Sequence, residues 1–329
     1  MSAPPAWAGP PKTADSGARI TQEQRWDPTT VDITIDTPAV VTQDPQARIY
    51  TPKGWTRHAT RTWPVLYVYS GGPDTYTKWS EETDIKDYAA RNDVIVVMPD
   101  SGKGGAFVNW YNRGKFGGPN WETFHTEELP QLIERNFHGS GVRAAMGISS
   151  GAEGAVTYAA RRPGLFRYVA SFSGVLHPTM PGIPAALVLL ELAADPTRDP
   201  TLKWGNPVWD RKNWEAHDPY VLAENLRGTG LYISSGTTGL FGPLDPPWAE
   251  ALKIAHGSAV QAVALYASGS ISEKMVGVTD RSFTRRLEQL NIPATVHLYG
   301  DGLHQWKYWV REYHTAWPLI MKALNARPL

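Results

Sequence analysis

Two short runs, PVLYVYS (64–70) and DVIVVM (93–98), are apolar and rich in β-branched residues with almost no polar interruption. A strand with one wet face alternates, whereas a strand covered on both faces does not. These runs therefore call for a sheet with helices on both sides, and KWSEETDIKDYAARN (78–92) between them reads as the first helix. VRAAMG (142–147), RYVASFS (167–173), GLYISS (230–235) and ATVHLY (294–299) read as further strands. WETFHTEELPQLIERNF (121–137), with Pro130 as a kink or boundary, SGAEGAVTYAARRP (150–163) and segments 279–290 and 304–324 read as helices. Upstream, TVDITIDT (30–37) and QARIYT (46–51) alternate as strands do. Alternating strand and helix makes the fold class α/β, with a mostly parallel central sheet and helices on both faces.

The boundaries follow. Residues 1–28, rich in Pro, Ala and Gly at their start, are expected to be a flexible tail, and 29–329 one catalytic domain. Segment 178–228, poor in strands and rich in Trp and Pro, reads as an insertion over the edge of the sheet and over the active site, where such folds keep their substrate pocket. Its apolar run IPAALVLLELAA (183–194) is too short to cross a bilayer and contains Glu191. The N-terminus has no basic region followed by an apolar one, so it does not read as a signal peptide. It fits a mature extracellular or cell-envelope protein, with a cytoplasmic protein as the alternative.

The chemistry centres on VRAAMGISSGAEGAV (142–156), where Gly147-Ile148-Ser149-Ser150-Gly151 falls between a buried strand and a helix. Gly-x-Ser-x-Gly in that context is a nucleophile elbow: the sharp turn lifts the serine hydroxyl above the sheet at a helix N-terminus. Ser149 is the nucleophile by its spacing to the glycines, and Ser150 supplies a backbone N–H to an oxyanion. The second N–H is expected from the loop after the first core strand, YVYSGGPD (67–74), at Gly72. The base must lie downstream. His297 alternates within a strand and His314 sits mid-helix, whereas His304 opens the final helix directly after the last strand. Asp245, Glu273, Asp280 and Asp301 all stand between residue 235 and His304. Asp301 reads as a turn residue and Asp280 as an N-cap. Closeness to the preceding strand favours Asp245 as the acid.

Composition narrows the classes. There is no Cys, which excludes disulfides, thiolate catalysis and thiolate-bound metal. Lys+Arg and Asp+Glu balance at 32 each, leaving no net field for nucleic acid or an anionic membrane. No metal or cofactor is expected. The 14 Trp suit an apolar cleft for acyl or sugar groups as well as a large core.

Four ordered stretches carry a resemblance: MPDSGKGGAFVNWY with WETFHTEELP, FSGVLHP, KWGNPVWDRKNWEAHDP, and GLHQWKYW. Over about residues 60–325 the chain resembles the mycolyltransferase (antigen 85) family of α/β-hydrolases, with the esterase D group as a near relation. The resemblance implies the α/β-hydrolase fold and a triad of Ser149, His304 and Glu273. The acid moves from Asp245 to Glu273 because the family's Glu precedes a Phe by ten residues, as Glu273 precedes Phe283. Oxyanion donors fall on Gly72 and Ser150, where the family has Leu and Met. Trp306 matches an aromatic wall beside the family's sugar site. Ser70 and Pro73 stand where the family places an Asp and an Arg against trehalose, and neither can supply a carboxylate or a guanidinium. What the resemblance implies is thus acyl transfer from an ester donor, small-molecule or lipid, to an alcohol, a sugar or water, without those trehalose contacts. A carboxylesterase of feruloyl or acetyl type is the alternative, and a non-catalytic binding protein on the same scaffold is a third reading.

Overall fold

The computed structural model describes residues 10–102, 107–111, 117–195, 197 and 199–329. Residues 1–9 of the expected tail and 103–106 of the MPDSGKGGAFVNWY stretch lie outside the described residues. The strands are β1 (Arg19–Arg25), β2 (Thr30–Asp36), β3 (Gln46–Tyr50), β4 (Trp63–Tyr69), β5 (Ile95–Pro99), β6 (Gly139–Ile148), β7 (Tyr168–Phe172), β8 (Gly230–Ser235) and β9 (Thr295–Leu298). They form one sheet in the order β1-β2-β3-β5-β4-β6-β7-β8-β9. Pairing is antiparallel from β1 to β5 and parallel from β5 across to β9.

The uninterrupted apolar strands have the cause expected of them. Along β4, Val65, Tyr67 and Tyr69 enter one core layer, and Leu66 and Val68 enter the other. β5 does the same, with Ile95 and Val97 on one face and Val96 and Met98 on the opposite one. The first layer is closed by α3 (Trp121–Thr123), a π-helical turn (Phe124–Glu128), α4 (Leu129–Phe137), α5 (Ser149–Arg161) and the C-terminal part of α9 (Ala259–Gln289). The second is closed by α1 (Lys78–Glu82), α2 (Ile85–Ala90) and α10 (Trp306–Leu324). The remaining helices are α6 (Ile183–Ala194), α7 (Arg211–Glu215) and α8 (Trp248–Ile254), with a 3-10 turn at Ala223–Leu226. No helix of the described residues is long and apolar enough to cross a membrane.

Three features differ from the sequence-based expectation. β1 lies inside the segment 1–28 expected to be a flexible tail. It pairs antiparallel with β2, and upstream of it Asn136 of α4 clamps Lys12, accepting from its N–H at 2.7 Å and donating to its carbonyl at 2.8 Å. The helix expected over 78–92 is two helices, because Thr83 turns extended and its hydroxyl donates to the Trp79 carbonyl at 2.5 Å. α9 begins at Ala259, far ahead of the helix expected from 279, so Asp280 is a fully buried residue within the helix and not its N-cap. That cap is Ser258, whose hydroxyl accepts from Gln261 N. Pro130 lies within one continuous helical stretch from Trp121 to Phe137, just after its π-helical turn, and does not end it.

Candidate active site

The loops that follow β4, β6, β8 and β9 all leave the C-terminal edge of the parallel strands, where open α/β sheets gather their ligands. The loop after β6 is the tightest. Ser149 follows Ile148 directly and adopts φ 51°, a left-handed conformation unusual for a residue with a side chain. Gly147 and Gly151 make that turn possible. A Cβ on Gly147 would stand 2.4 Å from the carbonyl carbon of Gly151, and one on Gly151 would stand 2.4 Å from the Ser70 carbonyl oxygen. Helix α5 is thereby pressed against the end of β4. Gly151→Ala is expected to destabilise the fold by roughly 2–3 kcal/mol through overpacking against backbone. Urea unfolding monitored by tryptophan fluorescence reads it as a lower midpoint with an unchanged slope.

Across the sheet edge, His304 Nε2 lies 2.9 Å from Ser149 Oγ, and His304 Nδ1 lies 2.7 Å from Glu273 Oε2. The His304 N–H donates to the Gly269 carbonyl at 3.1 Å, and the ring meets Trp309 edge-on at 4.9 Å. Glu273 is completely buried on α9. Its Oε1 accepts from Gly236 N at 2.5 Å, Ser173 Oγ at 2.9 Å and Tyr299 OH at 3.1 Å. Burial and the nearby Glu273 hold the Tyr299 phenol well above its ordinary range, so it remains a donor. With every neighbour arranged to donate, Glu273 serves as an acceptor-only carboxylate. Nδ1 of His304 must then carry the proton, which leaves Nε2 bare toward the Ser149 hydroxyl.

The structure therefore gathers Ser149, His304 and Glu273, and it assigns Asp245 elsewhere. Asp245 accepts from Gly242 N at 2.6 Å, Gln305 Nε2 at 2.8 Å and Leu303 N at 3.2 Å, bracing both sides of His304 without touching its ring. Asp301 accepts from Thr238 Oγ1 at 2.6 Å, as a turn residue would. His297 pairs with Glu312 on α10, and His314 with Asp84.

Ser149 and His304 open into a cleft of about 730 Å³ that is also lined by Gly72, Pro73, Asp74 and Trp306. Gly72 and Pro73 are thus where the sequence expects them. Ser70 is not: it is buried behind the loop, with its hydroxyl 3.4 Å from the Thr75 carbonyl. The sequence reading overlooked Asp74, which occupies the same loop four residues later. Burial raises its carboxyl to about 6. Ser150 does not line the cleft and instead lines a second cavity of about 110 Å³.

The walls also differ from those expected. The cleft is bounded by Pro246, Glu250, Ile254, Leu265 and Tyr266 from α8, α9 and the segment before them. Segment 178–228 instead lines the small cavity beside Ser150, through Leu187, Val188, Lys203, Trp204 and Trp214. The stretch WETFHTEELP lines neither space. Its His125 is fully buried, stacked on Trp121 and Phe107, and burial lowers its pKa to about 4, so it is a neutral core residue.

The Esterase family model matches residues 39–318. Among curated proteins, the chain is 30% identical over 254 residues to esterase Rv1288 of Mycobacterium tuberculosis (strain ATCC 25618 / H37Rv), covering 75% of this chain and 50% of that protein. It therefore spans about half the length of that relative. It is 27% identical over 279 residues to diacylglycerol acyltransferase/mycolyltransferase Ag85B of Mycobacterium avium, covering 80% of this chain and 77% of the other. Among solved structures, MPT51 of Mycobacterium tuberculosis superposes with a TM-score of 0.68 at 21% identity, over 88% of this chain and 97% of that one. That likeness speaks for the α/β-hydrolase fold.

Proposed function

The chain belongs to the Esterase family, and on that premise we propose that it is a serine esterase/acyltransferase working through Ser149, His304 and Glu273. The observation that carries the proposal is the continuous line of hydrogen-bond distances from Ser149 Oγ through both nitrogens of His304 to Glu273. In the proposed cycle His304 Nε2 takes the Ser149 proton as Oγ attacks an ester carbonyl. The N–H groups of Gly72 and Ser150 receive the oxyanion. Ser150 is in the first turn of α5, where helix N–H groups have no intrahelical partner. His304 then returns its proton to the leaving alcohol. In the second half, His304 deprotonates water or another alcohol, which attacks the acyl-enzyme and frees Ser149. Water makes the cycle hydrolysis and an alcohol makes it transfer. An extracellular or cell-envelope setting belongs to the same proposal.

Hydrolysis without transfer is the second reading, and one observation favours it. Ser70 is buried and Pro73 is apolar, so the two positions that correspond to the family's trehalose contacts present no polar group to an acceptor, and Asp74 is the loop's one carboxylate in the cleft. A fluorophosphonate probe is expected to label Ser149, with the adduct located by peptide mass spectrometry. An unlabelled protein would refute the triad in favour of a binding role, and a label on another serine would refute it in favour of a different nucleophile. Product analysis with p-nitrophenyl butyrate, with and without glycerol, then separates the two reactions: a glyceryl ester reports transfer, and butyrate alone reports hydrolysis.

A further inference from the structure

Asp74 is a carboxylate in the reaction cleft that the proposed cycle leaves unused. It lines the same space as Ser149, His304 and Trp306. A methyl carbon placed on Gly71 would stand 3.3 Å from Asp74 Oδ2 and also 3.3 Å from Ser149 Cβ, so the carboxylate lies one small group away from the nucleophile. Other carboxylates of the cleft are neutralised by a neighbour. Glu82 of α1 is paired with Lys78 at 2.6 Å, and Glu250 of α8 with Lys307 of α10 at 3.0 Å. Asp74 has no such side-chain pairing among the described residues: its carboxylate accepts from the Gly71 backbone N–H and feels Lys78 only through space.

The same corner must receive the alcohol part of an ester. His304 is the proton donor to the leaving oxygen in the proposed cycle, and Gln305, Trp306 and Lys307 continue its wall of the cleft. Trp306 meets Trp79 edge-on at 5.4 Å, and Trp79 stands five residues beyond Asp74. The start of α10 therefore packs on α1, and the loops that precede these two helices line the same cleft.

We propose that Asp74 is the specificity-determining residue for the alcohol. It favours an uncharged alcohol with a second hydroxyl that can donate to the carboxylate, or a cationic one, and it rejects alcohols that carry a negative charge near the reacting oxygen. This rests on the serine mechanism above. Two unit charges about 6 Å apart in a partly screened site interact strongly enough to shift a rate about tenfold or more. Burial raises the Asp74 carboxyl to about 6. Above that pH the group is ionised and discriminates; below it the group is neutral and the discrimination fades. The other charged groups acting on it are Lys78, Glu81 and Glu82 on the α1 side, and of these only Lys78 favours ionisation. Across the cleft stand His304, the Glu250–Lys307 pair and, behind His304, the buried Glu273.

The test compares three butyrate esters that differ only in the alcohol: glycerol, choline and glycolate. Ratios of kcat/KM cancel any loss common to all three. In the unaltered protein the glycerol-to-glycolate ratio is expected to fall about tenfold between pH 8 and pH 5. Asp74→Asn is expected to reduce that ratio about tenfold at pH 8 and to flatten its pH dependence. Asp74→Ser, which has no carboxylate and a smaller side chain, should behave alike, and thermal melts check that both variants fold. A glycerol-to-glycolate ratio that is independent of pH, or unmoved by both substitutions, overturns the assignment of Asp74. Labelling of Ser149 is read separately, so failure of the triad and failure of Asp74 give different results.

Discussion

Ser149→Ala is expected to reduce kcat/KM for p-nitrophenyl acetate by about 10⁴–10⁶-fold, down to what binding and the oxyanion donors supply alone. In the proposed cycle this hydroxyl forms the acyl-enzyme, and among the described residues no other hydroxyl lies at hydrogen-bond distance from His304 Nε2. Ser150 is not expected to take over, because its hydroxyl is buried and the residue lines the small cavity and not the cleft. His304→Ala should cost a similar amount, and the double variant little more than either single one, since a nucleophile and its base act as one unit. Alanine at φ 51° is mildly strained, so a melting curve accompanies the kinetics. Turnover within tenfold of the unaltered protein, in a variant that melts normally, would sink the serine mechanism.

The parallel centre of the fold was legible because β4 to β8 are buried on both faces, and burial of that kind writes itself as unbroken apolar runs. β1 was not, since RITQEQR is an edge strand whose mostly polar side chains face outward; of the seven only Ile20 is buried. The first half of α9 escaped for a different reason. From Ala259 to Ser272 it holds no charged residue and shows no polar stripe, and much of it is exposed beside the cleft. A helix that covers a cleft rather than a core need not be amphipathic, so periodicity is silent about it. That omission hid the position of Glu273 as well. Read as loop, 236–278 leaves closeness to the preceding strand as the criterion, which favours Asp245; with the helix begun at Ala259, Glu273 reaches Ser173 and Gly236 at the ends of β7 and β8.

The same physical point explains Ser70 and Asp74. Sequence position alone cannot say which side of a loop faces a cleft. The hydrogen bond from Ser70 to the Thr75 carbonyl turns one polar residue inward, and the close approach of Gly71 to Ser149 brings the other to the nucleophile. The three residues that the resemblance points to, Ser149, His304 and Glu273, lie within hydrogen-bond distance along one line, after β6, after β9 and on α9. The substrate contacts it points to are less legible, because a loop fixes those.

Glu273→Gln tests the part of the site that depends most on protonation and least on shape. Glutamine has the same outline and can keep the three bonds made at Oε1, its carbonyl oxygen accepting from Gly236 N, Ser173 Oγ and Tyr299 OH. Its NH₂ then replaces Oε2 and faces His304 Nδ1. A donor at that place forces Nδ1 to accept, which moves the ring proton to Nε2 and points it at the Ser149 hydroxyl. The imidazole keeps its position and loses its basicity toward Ser149. The expected result is a fall in kcat of about 10³–10⁴-fold with KM changed by less than a few fold. Asp245→Asn, which alters a brace of His304 and not its proton, should fall far short of that loss. A Glu273→Gln variant retaining more than a tenth of kcat would mean that the carboxylate only holds the ring in place, and the base would then have to be oriented by its backbone bond to Gly269 and its contact with Trp309.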